Sequence, residues 1–209
     1  MTKKQETNLS DHPIQLTKEL IQRYTGELQF QFSKYTYVPQ SVVDQRDSFV
    51  VKGSNLTDDY LVSTLDSLNK QQELAFHSLV KLPTTKMYHI PMIDFSGNGI
   101  QTNWQLFHSL LPSNILEEFH LYDSGRSFHG YSLHLLSQTE WVKFMAKLLL
   151  LNLPNQTPVV DSRWIGHRLT SGFGSLRWSH NTEYYQKMPK KVTFDRQLNF
   201  NKQRATIGR

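Results

Sequence analysis

Cysteine is absent from all 209 residues, which excludes disulfides and any zinc knuckle built on thiolates. Long apolar runs are absent too. Leu148 to Leu151 is the kind of run the chain offers, far short of the roughly 18 residues that a membrane span needs. The opening residues Met1-Thr2-Lys3-Lys4-Gln5-Glu6 carry charge without an apolar stretch, so no signal peptide is expected and the chain reads as soluble and cytoplasmic. Acidic residues are in deficit: 18 Asp and Glu against 23 Lys and Arg give a net charge of +5. That modest excess leans towards a polyanionic partner and equally fits a solvated surface. What is present is 38% hydrophobic and 12% aromatic residues, enough for one globular domain with a real core.

Residues 1–10 are polar and read as disordered. Ser10 or Asp11 can cap a helix that carries Pro13 in its first turn and runs to about Arg23. Residues 27–53 alternate as strands separated by turns at Pro39 and Gly53. Thr57-Asp58-Asp59 opens a second helix, with Leu61, Leu65 and Leu68 at helical spacing. Leu74 to Leu82 fits helix or strand, and its alternation favours strand. Met87 to Asp94 is an apolar strand ending in an acid, followed by a Gly97-Asn98-Gly99 turn. Trp104 to Leu111 is an amphipathic helix ended by Pro112. Thr139-Glu140 starts another helix through Leu151, and Thr157 to Asp161 is a short apolar strand that again ends in an acid. Residues 181–209 form a basic tail, including Lys187, Lys190, Lys191, Arg196, Lys202, Arg204 and Arg209, with a strand near Val192 to Phe194. The sum is a single α+β domain over residues 11–180, a mixed or antiparallel sheet flanked by helices.

The most informative stretch is 116–136. Two alternating runs flank Asp123-Ser124-Gly125, which reads as a β-hairpin with strands to about Tyr122 and from about Ser127. Period 2 puts His129, Tyr131 and Leu133 on one face and Phe128, Gly130 and Ser132 on the other. Ser124, Arg126 and His129 sit together around a flexible turn: a hydroxyl, a guanidinium and an imidazole, suited to a polyphosphate. Alone, the stretch also fits a polar hairpin tip with one satisfied histidine, and each strand-end acid also fits a turn or cap.

Strand–Asp94, then Ser124-Gly125-Arg126-Ser127-Phe128-His129, then strand–Asp161, then His167-Arg168 and Ser175-Leu176-Arg177, resembles the archaeo-eukaryotic primase superfamily, the primase-polymerases. The resemblance covers roughly residues 74–180. It implies an RRM-like catalytic half and a nucleotidyltransferase of DNA replication or repair. That enzyme would use nucleoside triphosphates, a single-stranded or template nucleic acid, and Mg2+ or Mn2+, with other replication proteins as partners. By the same resemblance Asp94, His129 and Asp161 are catalytic, and Asp94 and Asp161 hold metal. Ser124, Arg126, His129, His167, Arg168, Ser175 and Arg177 contact nucleotide. Asp94, His129 and Asp161 are expected to line one cleft on one face of a single sheet. Trp164, Phe173 and Trp178, interleaved with Arg163, Arg168 and Arg177, suit base stacking or an ordinary core strand.

One departure bears on activity. The superfamily's first acidic motif has two acids one residue apart, and the second is Ser96 here. A hydroxyl cannot replace a carboxylate's charge at a two-metal site. Either a neighbour such as Asp123 substitutes, or one metal is held weakly, or the chain is a catalytically degenerate protein that binds nucleotide or nucleic acid.

Overall fold

The computed structural model describes residues 8–97 and 104–192. Ile14–Arg23 forms α1 and Gln29–Thr36 and Arg46–Lys52 form β1 and β2; Asp58–Asp66 is α2, Gln72–Lys81 β3, Met87–His89 β4 and Met92–Asp94 β5. Trp104–Leu110 and Ser113–Glu117 are α3 and α4, Phe119–Asp123 and Phe128–Ser132 β6 and β7, Gln138–Leu149 α5, Ser162–Ser171 α6, Ser175–Arg177 β8 and Lys190–Val192 β9. The α+β class expected from the sequence holds. Every strand pairing among the described residues is antiparallel, so of mixed and antiparallel sheets the second is found. No helix among the described residues is long and apolar enough to cross a membrane.

There are two sheets where one was expected. The first has the order β2-β1-β3-β4, with β8 also paired to β3; the second has the order β5-β7-β6-β9. The strand read as continuous from Met87 to Asp94 supplies both. It breaks at Ile90-Pro91, β4 pairing with β3 and β5 with β7. Proline has no N–H to continue a ladder, and at this point the chain changes partners: Ile90 N–H bonds to Ser78 O, and Ser132 N–H to Pro91 O.

Each sheet has its own core. α1 and α2 pack on the first sheet through Ile14, Leu16, Leu20 and Leu61 against Phe30, Phe32, Phe76 and Trp178. α3 to α6 pack on the second through Phe107, Ile115, Phe144, Met145 and Ile165. β7 serves both, as period 2 requires: Tyr131 enters the first core and Phe128 packs on the second. The helices start and stop as their ends dictate. Thr57 accepts from Tyr60 N–H to begin α2, and Ser137 and Glu140 form a capping box on α5. α1 differs from expectation: neither Ser10 nor Asp11 caps it, and the His12 ring accepts the Ile14 N–H at 3.1 Å. Leu116 and Glu117, expected at the start of the hairpin, belong to α4, begun after Pro112.

Residues 181–192 are built into the fold. β9 pairs with β6, and Asn181 and Thr182 bond to the fully buried Glu73. The remainder of the expected basic tail, with Arg196, Lys202, Arg204 and Arg209, lies outside the described residues, as do residues 1–7 and Asn98-Gly99 of the expected turn.

Gly130 in the middle of β7 faces the second core so closely that an added Cβ would sit 2.3 Å from the Phe119 ring and 3.0 Å from Phe95. Overpacking between two rings cannot be relieved by a rotamer change of the new methyl. Gly130→Ala is expected to lose about 2–3 kcal/mol, read as a lower urea midpoint at unchanged slope.

Candidate active site

The hairpin and β5 place the first two site residues. Asp94 and His129 are directly opposed in the β5–β7 ladder, and His129 Nε2 lies 3.8 Å from Asp94 Oδ1. On the other side of β5 the chain returns beside it. Phe95 bridges Val160, Asp161 N–H donates to Asp94 O at 2.9 Å, and Ser96 N–H to Val159 O at 2.9 Å. The segment read as a strand at 157–161 makes this one bridge and then turns into α6. Asp161 is the N-cap of that helix, accepting Trp164 N–H on Oδ1 at 2.9 Å. It therefore has the cap role open to any strand-end acid while its side chain also borders the cleft.

A cleft of about 530 Å³ runs over this point. It is bordered by Asp94, Ser96, His129 and Asp161, by Ser124 and Arg126 of the hairpin turn, and by His167, Arg168, Ser175 and Arg177. The structure thus brings the nine residues given catalytic, metal or nucleotide roles by the resemblance to one cavity. Burial and the Asp161 carboxylate push the Asp94 carboxyl up to about 7, while Arg177 and Arg168 pull the other way. Burial is the larger cause, and the second means that the two acids repel each other across the cleft. Burial, and then Arg177, hold His129 well below the usual imidazole range. It is a neutral ring whose buried Nδ1 has no hydrogen-bond partner among the described residues.

The basic residues divide sharply. Arg126 is exposed on the lip of the cleft, with no ion pair among the described residues, and His167 is half-buried. Arg168 and Arg177 are 2% and 5% exposed and largely committed to the fold. Arg168 donates to Ser175 Oγ at 2.7 Å and pairs with Asp44. Arg177 donates to the carbonyls of Ser179, Lys187 and Ser124, the last at 2.8 Å. It is a positioning residue that ties β8 of the first sheet to the hairpin turn of the second. Ser175 and Ser124 are buried in the same wall.

Sequence reasoning missed Asp44, which lines the cleft and also pairs with Arg46 at 2.8 Å. Burial raises its carboxyl, but Arg46 and Arg168 outweigh this and leave it below the usual range.

Three expectations are corrected. Residues 162–171 are a helix and not a strand, because Asp161 caps one end and Gly172, at φ +80°, closes the other. Trp178 cannot stack a base: it is buried on Phe76, ring centres 4.3 Å apart. Phe173 lies stacked on His77, and Trp164 spends its indole N–H on Ser175 O. Asp123 does not supply the acid that Ser96 lacks. It pairs with Lys187 at 2.6 Å and accepts Gly125 N–H at 2.8 Å, away from the cleft.

The donor set suits magnesium or manganese in one respect only. Among the described residues no group of three or more metal-ligating side chains exists. Asp94 and Asp161 are two carboxylates, the number magnesium commonly takes from a protein when phosphates supply the rest.

Searches of curated proteins and of solved structures returned no match. Residues 52–190 match the archaeo-eukaryotic primase 1D-like family, a span that takes in β3 to β8, the whole hairpin and α6 and leaves β1 and the β1–β2 loop outside. A match over more than half of the 209 residues settles the membership: the chain belongs to the archaeo-eukaryotic primase 1D-like family.

Proposed function

We propose that the cleft binds a nucleoside triphosphate with Mg2+ or Mn2+ and joins its nucleotidyl group to a template-paired strand. The observation that carries this reading is that Asp94 and Asp161 adjoin through the backbone and border one cleft, the Asp161 carboxylate helping to raise the Asp94 carboxyl. They would hold the metal, which when bound offsets phosphate charge and favours departure of pyrophosphate. The 3′-oxygen of the strand bonds to the α-phosphorus as the bond to pyrophosphate breaks, and the hydroxyl proton passes to water. Arg126, which makes no ion pair among the described residues, binds the triphosphate as a fork. His129, neutral, offers its ring to a phosphate oxygen as a hydrogen-bond donor without adding charge. Arg177 and Arg168 act by fixing the wall that carries Ser124 and Ser175.

Ser96 favours a second reading, in which the same site binds nucleotide or nucleic acid without transfer. It stands two residues beyond Asp94 and borders the same cleft, where a second metal would need a carboxylate. Extension of a labelled primer with each metal, by the parent and by Ser96→Asp, separates the two. Under the transferase reading the parent extends slowly, prefers manganese, and gains both rate and magnesium use from Ser96→Asp. Triphosphate bound by both proteins with no extension by either establishes the binding reading. Robust magnesium-dependent extension by the parent, lowered by Ser96→Asp, shows that the serine belongs to a working site.

A further inference from the structure

The mouth of the cleft carries tyrosines that the reaction above does not use. Tyr35 on β1 and Tyr185, between β8 and β9, form an inner pair with hydroxyls 3.4 Å apart. Each has a guanidinium over its ring, Arg46 at 4.3 Å from Tyr35 and Arg177 at 4.0 Å from Tyr185. Tyr37 and Tyr184 stand outside this pair, 39% and 40% exposed. Tyr37 meets Tyr184 edge-on at 5.4 Å and Tyr185 at 5.7 Å with the rings tilted. Edge contacts fix the orientation of a ring and leave a face open. Tyr37 borders the cleft beside Val38, itself 58% exposed. Its loop is anchored rather than loose: Arg163 donates to the carbonyls of Gln40 and Ser41 at 2.6 and 2.7 Å, and Asp44 holds Arg168.

A held aromatic face beside a cleft with free positive charge is the pairing that grips single strands, the rings taking bases and the cations the backbone. The charge is present, since Arg126 borders the same cleft, exposed and without an ion pair among the described residues, and the chain carries +5 overall. Of the aromatics expected for this task, Trp178 is buried on Phe76 and Phe173 is stacked on His77, while Trp164 borders the cleft half-buried with its indole N–H on Ser175 O. We propose that Tyr37, braced by Tyr184, is the stacking platform for an unpaired base of a single strand whose phosphates pass Arg126. The inference rests on the reading that this cleft handles nucleic acid, and it goes further by assigning the contact to a loop outside the residues that match the family.

The test uses the full chain and four probes at low salt: a labelled oligothymidylate, an abasic oligomer of the same length, a blunt duplex, and thymidine triphosphate with manganese. The parent is expected to bind the oligothymidylate about tenfold more tightly than the abasic strand, the scale of a base–aromatic stack, and the duplex no better than the abasic strand. Tyr37→Leu, which keeps apolar bulk at an exposed position, should abolish that preference and leave abasic and triphosphate binding unchanged, whereas Tyr37→Phe should preserve it. Equal binding of the two strands by the parent, or an undiminished preference in Tyr37→Leu, overturns the platform. So does a loss of triphosphate binding alone, which would give Tyr37 to the incoming nucleotide. A parent with the Tyr37-dependent preference but no affinity for triphosphate upholds the platform and refutes the transferase reading. A parent that extends primers with no dependence on Tyr37 does the reverse.

Discussion

Asp94→Asn is expected to remove metal-dependent triphosphate binding by more than about a hundredfold while leaving the fold intact. Changes to residues that merely orient a metal ligand cost 10- to 100-fold in affinity, and Asp94 is placed to be a ligand itself. The amide has the shape of the carboxylate and keeps the β5 ladder, which uses only backbone atoms. It also relieves the repulsion from Asp161 that raises the Asp94 carboxyl, so the melting temperature of the protein alone should stay level or rise. In the parent, manganese with a triphosphate should raise the melting temperature, since a ligand that binds only the native state stabilises it; in Asp94→Asn that rise should vanish. An undiminished rise would remove Asp94 from the site. Asp161 gives a built-in control. Asp161→Asn keeps an oxygen for Trp164 N–H and should lose binding without losing stability. Asp161→Ala should lose binding together with about 1 kcal/mol of helix capping.

The largest effect on stability is expected at a residue far from any chemistry. Glu73→Ala should cost about 3–5 kcal/mol, because it leaves several buried donors unpaired at about 1–3 kcal/mol each. Glu73 is fully buried on β3. Its carboxylate accepts from Ser179 Oγ, from the N–H of Asn181 at 3.1 Å, and from the N–H and hydroxyl of Thr182 at 2.7 Å each. Ser179 Oγ in turn accepts Leu74 N–H at 2.7 Å. Alanine leaves the buried donors of Ser179 and Thr182 unpaired. The segment they hold leads to Tyr185 and to the Lys187 carbonyl that Arg177 uses, so its amides should exchange faster with solvent in Glu73→Ala than those of α5. A urea-measured loss below about 1 kcal/mol would mean that the segment is held by other contacts.

Much of the cleft was legible because its signals are local. The hairpin announces itself by alternation on both sides of Asp123-Ser124-Gly125, and α5 by its apolar spacing. The acids of β5 and of the 159–161 segment each end an apolar run, which brought Asp94 and Asp161 into view. What was not legible depends on partners remote in sequence. Asp44 holds Arg168 across 124 positions, and nothing around Asp44 marks it. Arg168 and Arg177 look the same in sequence as Arg126, yet two are buried with most donors committed and the third is exposed, with no ion pair among the described residues. Glu73 ties Asn181 and Thr182 to β3, although both fall at the start of what reads as a basic tail. Pro91 was a local signal for the break between β4 and β5, outweighed by the apolar run on either side.

Asp161 begins a helix and borders the cleft beside Asp94 at once, and this has a consequence for the charge that the fold must hold. The first turn of α6 points its free amides, equivalent to about half a positive charge, at the same carboxylate that repels Asp94. Arg177 and Arg168 add to that field from behind the wall. Part of the self-repulsion of an acidic pocket is therefore offset by the backbone itself. The fold thus holds less net repulsion at the cleft than two bare carboxylates would set up.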